Sequence, residues 1–280
     1  MLQRSRAFSI AYQNYALNSE RSGVNKNQPE EIVVSLTTFD KRIHEVYLTI
    51  ESLFQQSKKA DRIVLWVSKQ DFSNNDIPEI LRLQMKRGLE IEFCDQDLGP
   101  FTKIYYALKK YPSSLIITVD DDIIYPLDMI DVLYKSYQKN PNMIHCHRAH
   151  SIRLAQNGEL LPYKQWQWNV QNTEPSHSIF PTGVGGVLYF PGCFDEEVFN
   201  KEAYLELSPT ADDVWLKAMS LKKGIICKKT DDGRDWSLRF TVVEGSQKFS
   251  LKRMNKQKNT GNDNQIKAVF GRYNLKKNLY

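Results

Sequence analysis

The chain has 280 residues, of which 41% are hydrophobic and 25% are charged. This composition is typical of a globular protein, and it excludes a collagen-like, coiled-coil or wholly disordered chain. No apolar run approaches the ~18 residues that a membrane-spanning helix needs, and the first 23 residues lack the apolar stretch of a secretory signal. The sequence therefore predicts a cytoplasmic protein.

The positive charge of the chain is concentrated near its C-terminus. Residues 246–280 contain nine Lys and Arg against one Asp and carry +8, whereas the preceding 245 residues carry −3. We expect this basic segment to face an anionic membrane surface or a lipid-linked substrate, with a merely solvated tail as the alternative. Nucleic acid is not expected, because aromatic residues are not interleaved with the basic ones.

Apolar runs alternate with helical patterns over the first half of the chain, after a polar leader (1–30) that predicts a helical or loose segment. The apolar runs predict strands over residues 32–36, 63–67, 89–93 and 115–119. Helical patterns follow them around Val46–Phe54 and over residues 77–87, 103–111 and 127–138. This order predicts a Rossmann-like, mostly parallel α/β sheet with helices on both faces, whose ligands bind at the carboxyl ends of the strands.

The regularity decreases after residue 140. Further strands are predicted over residues 143–146, 186–190 and 224–227, among longer loops. No boundary is sharp enough to separate two domains, so we expect residues 31–140 and 141–280 to form two halves of one domain.

Three consecutive carboxylates, Asp120, Asp121 and Asp122, follow the fourth predicted strand directly. Such groups repel one another, and a divalent cation is the economical reason for placing them together. Mg²⁺ and Mn²⁺ favour oxygen ligands and share them with substrate phosphates. An acidic turn that caps the next helix is the alternative, and we favour the metal site.

Three strand–helix units precede the strand that ends in Val-Asp-Asp-Asp, and a Gly-rich strand and an acidic helix start follow it. This arrangement resembles that of GT-A-type nucleotide-sugar glycosyltransferases. The resemblance covers roughly residues 32–270 and is strongest with bacterial enzymes of capsule, exopolysaccharide or lipopolysaccharide synthesis; it extends to the exostosin-like glycosyltransferase domain. It implies a GT-A fold with a donor half (31–140) and a mixed acceptor half (141–280).

The resemblance also implies roles for the three carboxylates. They form a DxD-type motif in which Asp122 binds Mn²⁺ or Mg²⁺, with Asp120 as the second candidate ligand. Asp120 and Asp121 face the ribose and the sugar of the donor.

Other candidate donor contacts follow the first two strands. Thr37, Thr38 and Arg42 lie where such folds receive the nucleotide base, and Arg42 suits either a base or a phosphate. An exposed charge on a helix is an equal alternative for Arg42. Asp71, after the second strand, is a weaker nucleoside-side candidate.

A Gly-Pro turn precedes the helix predicted over residues 103–111 and places Lys103 in its first turn, where a cation and the helix N-terminus both suit an anion. In related glycosyltransferases a Gly-Pro-x-x-Lys stretch helps to hold the nucleotide, so the resemblance implies that role for Lys103. An ordinary helix start is the alternative.

Gly185 and Gly186 belong to a glycine-rich run before a strand, and either line the donor–acceptor pocket or form a β-bulge.

Asp212 and Asp213 begin a later predicted helix, where simple capping would explain them. In inverting GT-A enzymes an acidic pair at this point ends with the base that deprotonates the acceptor hydroxyl. The resemblance therefore implies that Asp213 is catalytic, with Asp212 beside it.

Aromatic residues in polar loops either stack on sugars or pack in the core; they are Tyr163, Trp166, Trp168 and Trp236. Candidates for reaching the diphosphate from the basic segment are Lys252, Arg253 and Arg272.

The leading hypothesis is a hexosyltransferase-type enzyme that moves a sugar from a nucleotide donor, with a UDP-sugar as the first candidate, to a hydroxyl of a glycan or lipid-linked acceptor. A haloacid-dehalogenase-like phosphatase is an alternative, but Ile124 departs from its DxDx[TV] pattern. A sugar-nucleotide pyrophosphorylase would need a Gly-rich loop after the first strand. A non-catalytic glycan-binding protein is the remaining alternative.

Overall fold

The computed structural model describes residues 2–26, 28–243 and 261–279. Within them the strands are β1 (Ile32–Thr37), β2 (Arg62–Ser68), β3 (Leu89–Cys94), β4 (Leu115–Thr118), β5 (Ile123–Ile124), β6 (Ile144–Cys146), β7 (Ala149–Ser151), β8 (Ile179–Pro181), β9 (Val187–Tyr189), β10 (Cys227–Lys229) and β11 (Thr241–Val242). The helices are α1 (Leu2–Asn18), α2 (Val46–Phe54), α3 (Glu79–Lys86), α4 (Thr102–Lys110), α5 (Met129–Lys139), α6 (Lys201–Leu207), α7 (Asp212–Lys222), α8 (Trp236–Arg239) and α9 (Asn262–Arg272).

One mainly parallel sheet contains strands from both predicted halves of the chain. In the described residues its order is β10-β6-β9-β4-β1-β2-β3. β9 runs antiparallel to β4 and β6, and the other neighbours pair in parallel. The mixed α/β fold with a mostly parallel sheet that the sequence predicts is confirmed.

The side chains of β1 show why helices cover both faces of this sheet. Ile32, Val34 and Leu36 pack in one hydrophobic core with α2, α3 and α5, whereas Val33 packs in a second core with α4, α7 and α9. A strand that is apolar on both sides needs this double cover, since burial of its side chains is favourable only where both faces are shielded from water.

The second half of the chain departs from the predicted elements. Gly224 has a φ of +79° and follows the end of α7, so β10 begins only at Cys227 and the strand predicted over residues 224–227 is wrong in position. The two-stranded sheets β5–β11 and β7–β8 are also absent from the prediction. Strands of two or three residues are too short for a periodic pattern.

The polar leader is helical and packed. Tyr12 and Ala16 of α1 are buried, and α1 contacts α2 and α3. The Arg87 guanidinium donates to the Glu51 carboxylate at 2.7 and 2.9 Å and also to the carbonyl of Tyr15. The buried ion pair between Arg87 and Glu51 therefore also stabilises the packing of the N-terminal leader against α2 and the end of α3. In the described part of the chain, no helix combines the length and the apolar character that crossing a bilayer requires.

Replacing Glu51 with alanine is expected to lower the free energy of unfolding by about 3–5 kcal/mol, because it leaves the Arg87 charge buried and unpaired. Both side chains are almost completely inaccessible, at 0% for Glu51 and 4% for Arg87. Urea unfolding followed by circular dichroism measures the change. Glu79→Ala, at an exposed position of α3, is the control, and an equal effect of the two substitutions would contradict the prediction.

Candidate functional site

A cleft of about 1400 Å³ opens at the carboxyl ends of β1, β2 and β4. Side chains that follow these strands line it together with the starts of α4 and α7. It brings together the predicted residues Thr37, Thr38, Arg42, Asp71, Lys103, Asp120, Asp121, Asp122, Asp212 and Asp213.

Arg42 joins the loop after β1 to the carboxylates after β4. Its guanidinium lies 2.9 Å from Asp121 Oδ1 and 2.6 Å from Asp122 Oδ2. Thr38 donates its hydroxyl to the other Asp121 oxygen at 2.7 Å. Arg42 is buried, so the alternative of an exposed helix charge is wrong. Burial raises the pKa of Asp121 to about 7, because the nearby Arg42 offsets only part of the loss of hydration.

Thr37 and Asp71 occupy more peripheral positions in the cleft. The Thr37 hydroxyl donates to the Trp66 carbonyl of β2 at 3.0 Å. Asp71 is exposed in the loop after β2. Both residues lie on the side of the cleft formed by β1 and β2.

Lys103 bridges the end of β4 and the start of α7. Its ammonium lies 2.8 Å from Asp120 Oδ1 and 3.2 Å from Asp212 Oδ2. Burial acts to lower the pKa of Lys103, but Asp120, Asp212 and Asp213 outweigh it and hold that pKa well above the usual value. The lysine is therefore a fixed charge between two acidic segments.

Asp213 contacts the neighbouring loop. Its two carboxylate oxygens accept the Gly183 backbone N–H at 3.0 and 3.2 Å. Burial, followed by the adjacent Asp212, raises the pKa of Asp213 to about 8. The pKa of Asp212 is raised chiefly by burial as well. The pKa of the Asp213 carboxyl therefore lies near neutrality, with Lys103 nearby to favour the ionised form. Such a carboxylate is suited to accepting a proton.

Gly183 lines the cleft, and sequence reasoning missed this position within the glycine-rich run. A Cβ on this residue would lie 3.3 Å from one carboxylate oxygen of Asp120 and from one of Asp213, and 3.5 Å from Lys103 Nζ. A larger residue here would require the two carboxylates to move by a few tenths of an ångström.

The two glycines that the sequence predicted for the pocket wall, Gly185 and Gly186, are not among the residues that line the cleft. A Cβ on Gly185 would contact Arg148 and Trp236, and Gly186 has a φ of +85° and faces Met129. They serve packing beneath the cleft, and a contact with the donor stays a prediction.

Arg148 is the second position that the sequence did not reveal. It lines the cleft, where its Nε donates to Asn169 Oδ1 at 2.7 Å and its Nη1 to Thr182 Oγ1 at 3.1 Å. Its guanidinium lies 5.2 Å from the ring centroid of Trp236. A single arginine after a three-residue strand gives no sequence signal.

Among the predicted aromatic residues, Tyr163 and Trp236 line the cleft. Trp166 is buried in the core, and Trp168 is half-exposed and stacks on His150. Arg272 is exposed on α9 and does not line the cleft, whereas Lys252 and Arg253 lie outside the described residues, as do residues 246–260 of the basic segment in general.

The donor set fits a metal ion that is shared with a substrate. No three His, Cys, Asp or Glu side chains in the described ranges are grouped closely enough to hold an ion by themselves. Asp120 and Asp122 nevertheless line the cleft together with Asp121, Asp212 and Asp213, and in the described residues Arg42 and Lys103 form ion pairs with four of these five carboxylates. Mg²⁺ commonly takes one or two carboxylates and completes its shell with phosphate oxygens and water.

Comparison with known proteins gives only distant similarities. No family model and no curated protein matches the chain. Similar solved structures include S. aureus TarS 1–349, with 14% identity over 80% of this chain and a TM-score of 0.46. The mannosyltransferase PcManGT from Pyrobaculum calidifontis, in complex with GDP-Man and Mn²⁺, has 12% identity over 82% of this chain and a TM-score of 0.46.

The chain spans 64% of the TarS structure and 67% of the PcManGT structure. These similarities are too distant to assign the chain to a family.

Proposed function

We propose that the protein is a metal-dependent glycosyltransferase of GT-A type that moves a sugar from a nucleotide diphosphate donor to a hydroxyl of a glycan or lipid-linked acceptor. The observation that carries this proposal is the meeting of two acidic segments, the end of β4 and the start of α7, at Lys103 in one cleft. A UDP-sugar is the proposed donor, Mn²⁺ or Mg²⁺ the proposed cofactor, and bacterial surface polysaccharide synthesis the proposed setting.

The nucleoside is proposed to lie on the β1–β2 side of the cleft, against Thr37, Thr38, Arg42 and Asp71. Asp122 and Asp120 would hold the metal, which as a Lewis acid stabilises the departing diphosphate. Arg42 keeps Asp121 and Asp122 ordered before substrate arrives, because its guanidinium contacts both carboxylates.

Asp213 is proposed to act as the general base. It takes the proton of the acceptor hydroxyl while that oxygen forms a bond to the anomeric carbon and the bond from this carbon to the diphosphate breaks. The Gly183 N–H fixes the carboxylate, and Lys103 favours its ionised form. Attack from the face opposite the leaving group inverts the anomeric configuration.

The alternatives have less support in this geometry. A phosphatase of the haloacid-dehalogenase type usually has its nucleophile after the first strand in a DxDx[TV] pattern, whereas Asp120, Asp121 and Asp122 follow β4 and Ile124 departs from that pattern. A purely glycan-binding protein gains nothing from several buried carboxylates with raised pKa values, which are typical of catalytic sites.

A panel of UDP-, GDP-, CMP- and dTDP-sugars, each with and without Mn²⁺, tests the proposed function. We expect at least one donor to raise the melting temperature in a Mn²⁺-dependent manner and to be hydrolysed slowly to the nucleotide. Absence of both effects across the panel would contradict the proposal.

The substitution Gly183→Ala is expected to reduce donor turnover by about 10- to 100-fold, because the new methyl group displaces the carboxylates of Asp120 and Asp213. Initial rates at saturating donor and Mn²⁺ measure the effect. Gly271→Ala is the control, because a Cβ built there meets no heavy atom of the described residues within 4 Å, apart from its chain neighbours and the backbone of its own helix. Equal rates for the two variants would show that this close approach has no role in turnover.

A further inference from the structure

Arg148 lies on the side of the cleft away from the proposed nucleoside position. It follows β6, and the sheet order places β9 and β6 on one side of β4 and β1, β2 and β3 on the other. Its hydrogen-bond partner Thr182 follows β8 and also lines the cleft. Arg148 therefore belongs to the part of the cleft that remains for the acceptor.

Arg148 differs from the other two cations described in this cleft. Arg42 and Lys103 each contact two carboxylates, whereas no carboxylate lies within 4.0 Å of Arg148 in the described part of the protein. The hydrogen bonds to Asn169 and Thr182 use its Nε and Nη1 atoms and leave Nη2 available. The guanidinium is thus held in place by uncharged partners, with Asp213 and Asp120 acting on it only from beyond ion-pair distance, and a planar guanidinium of this kind suits a phosphate or carboxylate.

The proposed general base, Asp213, is linked to the Arg148 guanidinium through two consecutive residues of one loop. Thr182 contacts Arg148, and the next residue, Gly183, donates its N–H to Asp213. A ligand that places a hydroxyl at Asp213 thus has its neighbouring substituents near Arg148. Asn262 lines the same cleft, and within the described residues its buried Oδ1 atom has no hydrogen-bond partner, so it suits a further hydroxyl of that ligand.

We infer that the acceptor is an anionic sugar, and that Arg148 binds its phosphate or carboxylate group close to the reacting hydroxyl. This inference rests on the proposed glycosyltransferase function. It makes Arg148 a residue that determines acceptor specificity, because a neutral acceptor would leave the guanidinium without an anionic partner in the complex.

Pairs of charged and neutral probes test the inference with the full chain. Glucose 6-phosphate is compared with glucose, and methyl glucuronide with methyl glucoside, by saturation-transfer NMR titration with and without UDP and Mn²⁺. We expect at least one charged probe to bind about 10-fold or more tightly than its neutral partner. A difference in affinity within the glucose 6-phosphate pair indicates phosphate recognition, and one within the methyl glucuronide pair indicates carboxylate recognition.

Arg148→Gln is expected to abolish the preference for the charged probe and to leave UDP–Mn²⁺ affinity within about 2-fold of wild type. Arg148→Lys keeps the charge but loses the fork of donors, and it should retain part of the preference. Arg153→Gln removes an exposed arginine and serves as the control. Melting curves establish that the variants fold.

Two results would overturn the inference. One is equal binding of charged and neutral probes to the wild type, and the other is a loss of UDP–Mn²⁺ affinity in Arg148→Gln with probe binding unchanged, which would assign Arg148 to the donor. Failure of the proposed function is distinguishable, because probe binding is also measured without nucleotide. A protein that binds charged probes through Arg148 but no nucleotide would retain an anionic sugar site without donor chemistry, and the assignment of that sugar as an acceptor would be wrong.

Discussion

Asp213→Asn is expected to slow sugar transfer by about 10²- to 10⁴-fold and to leave donor and Mn²⁺ binding close to wild type. Asparagine has the same shape and keeps an oxygen for the Gly183 N–H, but it cannot accept the proton of the acceptor hydroxyl. Single-turnover transfer measures the chemical step, and calorimetry with UDP and Mn²⁺ measures binding. The combination distinguishes loss of the base from loss of the fold.

The pH dependence gives this prediction a second readout. A general base must be ionised to accept a proton. Because the pKa of Asp213 is about 8 in the free protein, kcat/KM of the wild type should rise with pH as this carboxyl group loses its proton. Bound metal would add positive charge and shift this rise to lower pH. Asp95→Asn, at an exposed position, should retain the wild-type profile. A wild-type rate in Asp213→Asn would indicate another base or a retaining mechanism.

Asp122→Asn is expected to weaken Mn²⁺-dependent binding of UDP by about 100-fold or more, because it removes a proposed metal ligand. The fold should persist, since the substitution reduces repulsion among three adjacent carboxylates and leaves an amide oxygen of similar size beside the Arg42 guanidinium. Calorimetric titration of UDP with and without Mn²⁺ measures the change, and thermal unfolding checks the fold.

The matched control is Asp131→Asn, which removes a carboxylate that pairs with Lys135 on the surface of α5. It should leave UDP and Mn²⁺ binding unchanged. If Asp122→Asn and the control have the same affinity for UDP in the presence of Mn²⁺, the metal role of Asp122 is wrong and the acidic cluster is structural.

The first half of the fold could be predicted because its pattern is local. Runs such as residues 63–67 are apolar at every position and alternate with amphipathic helices, and β2 extends only one residue beyond that run at each end. The direction of β9 could not be predicted in this way. Val187, Leu188 and Tyr189 are all buried, and a buried three-residue strand has the same pattern whether it runs parallel or antiparallel.

The site shows a similar division. Aspartates at a strand end and at a helix start are visible in the sequence, because the predicted elements fix where they fall along the chain. Their partners depend on packing between distant segments: Arg148 contacts Thr182, and Gly183 contacts Asp213. No local pattern distinguishes Gly183 from Gly185 and Gly186, since only the approach of α7 decides which glycine meets a carboxylate.

The position of β9 has a consequence for how the chain folds as it is synthesised. β9 is the strand that connects β4 to β6 in the described sheet, pairing Ile117 with Leu188 and Cys146 with Val187. Until residue 189 leaves the ribosome, one edge of β4 has no partner, and an apolar edge strand is prone to associate with other chains. We therefore expect nascent chains that stop between β4 and β9 to depend on chaperones, whereas in chains that include β9 both edges of β4 are paired.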